Sequence, residues 1–160
     1  MASTNLLEAI RVVKENEWIA SEFYAAAAEK TGGAMGRELF KQLREFEIYH
    51  YARITALEKS LQEDDTYIVY EGREFPLPPA LAPEAAEEPQ HQTVINIVLK
   101  ALDLERQAEK AYADLAAQIT DKQGHEMFQK LSGEEHKHYL ILTGAYWDLS
   151  NLKAWKWPEP

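Results

Sequence analysis

Four stretches of this chain carry apolar residues at steps of three and four, the spacing of one buried helix face. The first row reads Ile10, Val13, Glu17, Ala20, Tyr24, Ala27, and the second Phe40, Leu43, Glu47, His50, Ile54, Leu57, Leu61. The third reads Val98, Leu102, Glu105, Ala108, Tyr112, Leu115, Ile119, and the fourth Phe128, Leu131, Glu135, His138, Leu142, Ala145, Leu149. Breaks at Thr31-Gly32-Gly33 and Asp121-Lys122-Gln123-Gly124 suit helix ends and turns. The pattern predicts two antiparallel helical hairpins, residues 4–61 and 92–149, and an all-α four-helix bundle. Each row is interrupted midway, on its inward face, by Glu or by Glu and His.

Residues 62–91 have a different character. Thr66-Tyr67-Ile68-Val69-Tyr70 is a β-type run, expected to form a short strand that pairs with its mate in a dimer. Pro76, Pro78, Pro79, Pro83 and Pro89 then forbid a regular helix. The segment reads as a long crossover within one domain spanning 1–160, because a lone hairpin has nothing to cover its apolar face. The tail, 150–160, contains Trp155-Lys156-Trp157-Pro158, which suits docking on the bundle or on a partner subunit.

The hairpins repeat each other. A shift of 88 positions carries Glu17 to Glu105, Tyr24 to Tyr112, Glu47 to Glu135, His50 to His138 and Tyr51 to Tyr139. The same shift carries Gly36 to Gly124, Glu38 to Glu126, Phe40 to Phe128 and Leu43 to Leu131. Both polar and packing positions are preserved, which predicts an approximate two-fold axis between the hairpins.

Composition narrows the chemistry. The 160 residues are 46% hydrophobic, enough for a full core, and the net charge of −10 argues against a nucleic acid or an anionic membrane as partner. With no cysteine, disulfides, thiolate metal sites and thiol nucleophiles are excluded. No apolar run reaches the ~20 residues of a membrane span. The start, Met1-Ala2-Ser3-Thr4-Asn5, lacks a secretory pattern, so the expected compartment is the cytoplasm.

Four inward carboxylates at one level of a bundle must take up protons, find cationic side chains or bind cations. No Lys or Arg falls in the rows at that level. Two divalent metals would balance four carboxylates while the imidazoles stay neutral. A Glu from each of two helices, with a Glu-x-x-His from each of the other two, is the ligand pattern of di-iron and di-manganese bundles. Glu17 and Glu105 are read as terminal ligands and Glu47 and Glu135 as bridges, with His50 and His138 binding one metal each. Iron/iron, iron/manganese and manganese/manganese pairs all accept this set. Tyr24 and Tyr112 are candidates to hydrogen-bond a ligand carboxylate. Tyr51 and Tyr139 read as packing residues. Glu134 and His136 read as decoys beside the true motif, with His136 exposed. His91 and His125 read as helix-start residues, and Glu22 and Glu109 as exposed charges flanking the site.

The chain resembles the rubrerythrin branch of the ferritin-like superfamily in Glu17 through Phe23-Tyr24, Glu47-Ile48-Tyr49-His50, Glu105 through Ala111-Tyr112, and Glu135-His136-Lys137-His138-Tyr139. The resemblance spans both hairpins but neither the crossover nor the tail. It implies a ferritin-like fold and a non-haem di-iron centre that reduces hydrogen peroxide or dioxygen in oxidative-stress defence. It also implies a homodimer or larger homo-oligomer. Full rubrerythrins carry a rubredoxin domain whose iron is held by four Cys; this chain has none, so electrons would come from an external donor protein. Peroxidase-type relatives have an extra Glu ligand three residues after the third-helix Glu, where this chain has Ala108, and Glu109 points about 100° away. Ferroxidase or iron-storage work, oxygenation of an organic substrate, and a metal-free structural bundle are the alternatives.

Overall fold

The computed structural model describes residues 3–160. Met1 and Ala2, part of the segment read for a leader, lie outside the described residues. Four helices dominate: α1 (Thr4–Lys30), α2 (Ala34–Asp64), α3 (His91–Gln118) and α4 (Lys122–Leu152). Each hairpin turns through three residues, which makes its helices antiparallel neighbours. The hairpins pack together, with α1 against α3. None of the described helices is long and apolar enough to cross a membrane.

Local chemistry explains the boundaries. The Ser3 hydroxyl accepts from Leu6 N at 3.1 Å to open α1, and Asp121 accepts from Gly124 N at 3.0 Å to open α4. Gly124 therefore lies in the first turn of α4. Helices α2 and α4 run three residues past their expected ends, to caps at Asp65 and Lys153 in left-handed conformation (φ 54° and 53°).

Apolar packing divides into two clusters. One contains Tyr24, Phe40 and Leu43, and the other their repeat mates Tyr112, Phe128 and Leu131. Equivalent residues thus sit in opposite clusters, as a two-fold axis between the hairpins requires. The expected rows on α2 and α4 are buried throughout. On α1 and α3 the rows drift: Ala20, Leu102 and Ala108 are half-buried, while Ser21 and Ala101 are buried.

The expected strand at Thr66–Tyr70 does not form; among the described residues strands occur only at β1 (Ala86–Glu87) and β2 (Ala154–Trp155). β-Branched and aromatic residues favour any half-buried extended surface, and here that surface is the bundle itself. Tyr67, Ile68 and Tyr70 pack on the second cluster, so this run is seated on its own bundle. β1 and β2 pair antiparallel, Ala86 opposite Trp155 and Glu87 opposite Ala154, tying the crossover to the tail.

The repeat-related Gly36 and Gly124 receive the two non-repeated segments. A Cβ at Gly36 would overlap the Trp155 indole, and one at Gly124 would overlap the Tyr67 ring. The tail therefore docks on its own bundle, with Trp155 fully buried. Buried Glu88 completes the latch. Its carboxylate accepts from Gly32 N (2.9 Å), Gly33 N (3.0 Å), Gln90 N (2.9 Å) and Trp155 Nε1 (2.8 Å). One side chain thus joins the α1–α2 turn, the start of α3 and the tail. Replacing Glu88 by Ala orphans four donors and should cost about 2–4 kcal/mol, with Glu88→Gln recovering part of the loss. Urea unfolding measures this; an unchanged midpoint for Glu88→Ala would show that the latch contributes nothing.

Candidate metal centre

The polar level of the four rows closes into one cluster. Glu17 comes from α1, Glu47 and His50 from α2, Glu105 from α3, Glu135 and His138 from α4, and none is more than 2% exposed. In each Glu-x-x-His the i, i+3 spacing brings both side chains to the same helix face. The six residues form two interlocking groups: Glu17, Glu47, His50 and Glu135, and Glu47, Glu105, Glu135 and His138. Within each group the potential ligand atoms lie within 4.8 Å of one another. Glu47 and Glu135 belong to both.

His50 Nδ1 points into the cluster, 2.8 Å from Glu135 Oε1, 3.2 Å from Glu17 Oε2 and 3.8 Å from Glu47 Oε2. His138 Nδ1 also faces inward, 3.6 Å from Glu105 Oε1 and 3.7 Å from both Glu47 Oε1 and Glu135 Oε2. Buried atoms without a hydrogen bond of sound geometry gather here: Glu47 Oε1, Glu105 Oε2, both Glu135 oxygens, His138 Nδ1 and Tyr112 Oη. Glu135 Oε1 is among them despite its short approach to His50, because proximity alone does not align a bond. Buried polar atoms almost always have partners. A set of orphaned carboxylate oxygens and an imidazole nitrogen, all converging, is a donor set for hard or borderline divalent cations. These groups have the chemistry to hold metal ions.

The tyrosines serve across the repeat. Tyr24 on α1 donates to Glu105 Oε1 on α3 at 2.6 Å, rather than to the Glu of its own row. Its mate Tyr112 is fully buried, and its hydroxyl has no hydrogen-bond partner. Burial, then the charge of Glu105 for Tyr24 and of Glu17 for Tyr112, pushes both phenols well above their ordinary value, so both stay protonated.

Residues set aside in the sequence divide. His136 is exposed and pairs with Glu109 at 3.0 Å, away from the cluster. Glu22 is exposed, His91 opens α3, and His125 Nδ1 meets Ala116 O at 2.7 Å. Tyr51 packs on Trp18, and Tyr139 lies under the Arg106 guanidinium. Glu134, read as a decoy, is instead buried and touches the site. Its Oε1 lies 3.1 Å from His50 Nε2 and accepts from the Tyr70 hydroxyl, while Oε2 accepts from Arg73 N at 2.7 Å. The signal that marks it is in the repeat: the position equivalent to Glu134 is Phe46, a residue type that seeks the interior.

A cavity of about 110 Å³ opens between α1 and α3. Its walls include Val13, Ile19, Ala20, Ala108 and Ala111, and all four cluster carboxylates line it, whereas neither histidine does. Ala20 and Ala108 are repeat mates, and their small side chains leave this space.

Electrostatics follow from burial and crowding. Burial, reinforced by Glu47, pushes Glu17 well above the ordinary carboxylate value. Burial with Glu105 and Glu17 nearby pushes Glu135 up to about 8. Glu105 moves oppositely: burial opposes its charge, but the adjoining Glu135 carboxyl, which takes the shared proton, and the His138 charge draw it below the ordinary value. The two titrate as a pair, with the proton on Glu135. Burial disfavours charge on the imidazoles, yet the carboxylates around them outweigh it, so both titrate well above 6.5.

The metal-free protein should therefore weaken as pH rises. A group whose folded pKa is raised stabilises the fold fully below its unfolded value, and that contribution is lost as pH climbs through the folded value. For Glu135 the window runs from 4.5 to about 8, and the imidazoles extend the loss upward from 6.5. Glu105 and Glu134, whose values are lowered, act the other way, and their contribution is lost as pH falls below the ordinary 4.5. Melting temperatures of chelator-treated protein should fall between about pH 5 and pH 8, and fall less for Glu135→Gln. A rise over that range would contradict the assigned protonation.

No family model matches this sequence, and no curated protein does. Among solved structures, a hypothetical protein from Pyrococcus furiosus is similar, with a TM-score of 0.73 and 25% identity, over 97% of this chain and 96% of that one. The likeness takes in the crossover and the tail as well as the hairpins, and what it shows is a shared helical-bundle architecture.

Proposed function

We propose that the protein is a rubrerythrin-like, non-haem di-iron oxidoreductase that reduces hydrogen peroxide or dioxygen with electrons from an external donor. The observation that carries this reading is the pair of interlocking ligand groups sharing Glu47 and Glu135. Glu17 and His50 would hold one metal ion and Glu105 and His138 the other, with Glu47 and Glu135 available to both. A reduced di-iron pair, when bound, supplies two electrons together to an O–O bond.

The chain's own residues support that chemistry in three ways. Four carboxylates balance the charge of two divalent ions, so the pair can reside in a buried site without further cations. Tyr24 fixes the orientation of Glu105 through its 2.6 Å bond and keeps its proton, which prevents a fifth negative charge at the site. The cavity between α1 and α3 gives a small neutral molecule a path to the carboxylate face. Its alanine and aliphatic walls and its volume of about 110 Å³ suit a molecule of a few heavy atoms.

Loading and oxidation test the reading together. Anaerobically prepared protein should take up about two ferrous ions per chain, and Glu47→Ala/Glu135→Ala should take up none. Stoichiometric peroxide should then oxidise the loaded wild type in one turnover, followed by its ultraviolet absorbance. Uptake of many iron atoms per chain would favour iron storage, and no stoichiometric uptake would leave a metal-free bundle.

A further inference from the structure

The two halves of the cluster are not equivalent, and the difference lies at one pair of repeat-related positions. A shift of 88 carries Phe46 onto Glu134. Each neighbours a histidine of the cluster, but they meet it differently. Glu134 Oε1 takes the outward nitrogen of His50, Nε2, at 3.1 Å. Both of its oxygens are themselves held, one by the Tyr70 hydroxyl and the other by Arg73 N at 2.7 Å. Gly72 lies beside the same carboxylate, where a Cβ would stand 3.3 Å from Glu134 Oε2. The support for His50 is therefore clamped by the crossover.

The contacts around the outer part of His138 are aromatic rings. Phe46 meets it edge to face with centroids 4.5 Å apart, and Phe75 does so at 6.4 Å. Among the described residues no carboxylate reaches its Nε2, and its inward Nδ1 has no hydrogen bond. The crossover thus supplies a hydrogen-bonded carboxylate to one histidine and an aromatic wall to the other.

We propose that the two metal positions differ in affinity, that the Glu17–His50 position fills first, and that Glu134 is the positioning residue responsible. The inference rests on the di-metal reading above. A carboxylate on the outer nitrogen of a ligand imidazole holds the proton there, leaves the inner lone pair for the metal and fixes the ring plane. His50 has all three advantages; His138 has no carboxylate on its outer nitrogen among the described residues. Loss of such an outer partner typically lowers metal affinity 10–100-fold.

The test is titration of metal-free protein with cobalt(II) under anaerobic conditions, read by its visible absorbance and by calorimetry. The wild type should bind two equivalents in steps separated by about tenfold or more. His50→Ala should remove the tighter step and His138→Ala the weaker one. Glu134→Ala should weaken the tighter step about 10–100-fold and leave the weaker one near its original value. Glu134→Gln, which still accepts from Nε2–H, should recover part of the loss. Tyr70→Phe, which keeps the ring and loosens only the clamp, should give a smaller shift in the same step and serves where Glu134→Ala fails to fold. Two equal steps in the wild type would overturn the asymmetry while leaving the di-metal reading intact. Equal weakening of both steps by Glu134→Ala would reduce Glu134 to a structural role and overturn the assignment. Absence of any bound cobalt in the wild type would sink both readings.

Discussion

Everything in this structure is arranged around the burial of four carboxylates and two imidazoles at the middle of a helical bundle. Two apolar clusters, one on each side, remove that layer from water, and removal from water is what makes its charges costly. In the metal-free state the layer is balanced by protons, with Glu17 and Glu135 pushed upward and both histidines drawn toward the charged form. Protons are a poor match for so many acceptor atoms, and several carboxylate oxygens and His138 Nδ1 stay without hydrogen bonds. Cations placed among those atoms would satisfy them together. The same groups that strain the metal-free bundle are thus the ones suited to hold metal.

The repeat builds the site, and the segments outside the repeat differentiate it. Gly36 and Gly124 are equivalent, and each is kept free of a Cβ so that an aromatic ring can lie on the helix. One receives Trp155 from the tail, the other Tyr67 from the crossover. Three residues beyond Tyr67 the chain delivers Tyr70 to Glu134, and shortly afterwards Phe75 to the surroundings of His138. Phe75 in turn packs on Trp157, whose indole donates to Pro76 O at 2.9 Å. The crossover is therefore a structural part of the centre, held at one end by packing on Gly124 and at the other by the Glu88 latch.

Much of this is legible in the sequence because periodicity and repetition report on helix faces directly. The 88-residue shift locates all six cluster residues, and the structure brings all six together. What periodicity misses is geometry between elements. Tyr24 is readable as a partner for a carboxylate, but nothing in its row says that the carboxylate is Glu105 on α3. Thr66–Tyr70 has the composition of a strand because aromatic and β-branched residues suit any extended half-buried surface. Glu134 has the look of a decoy because it directly precedes Glu135, the residue at i−3 from His138, and because charged positions on a long helix are mostly solvated. Its repeat mate Phe46 corrects that reading, since a position apolar in one copy faces the interior in both.

The same comparison of copies bears on how the centre is reached. Ala20 and Ala108 follow Glu17 and Glu105 by one helical turn, and both line the cavity over the carboxylates. Neither copy places a further carboxylate at this position, where both have Ala. Glu109 does not fill the gap, because its side chain pairs with the exposed His136. The consequence is an opening beside the paired alanines on the face away from the histidines, combined with an asymmetric clamp on the histidine face. The cavity borders carboxylates of both ligand groups, whereas the outer carboxylate partner belongs to His50 alone. If two ions occupy this site, such a build would distinguish them by how firmly each is held rather than by which one a small molecule can reach.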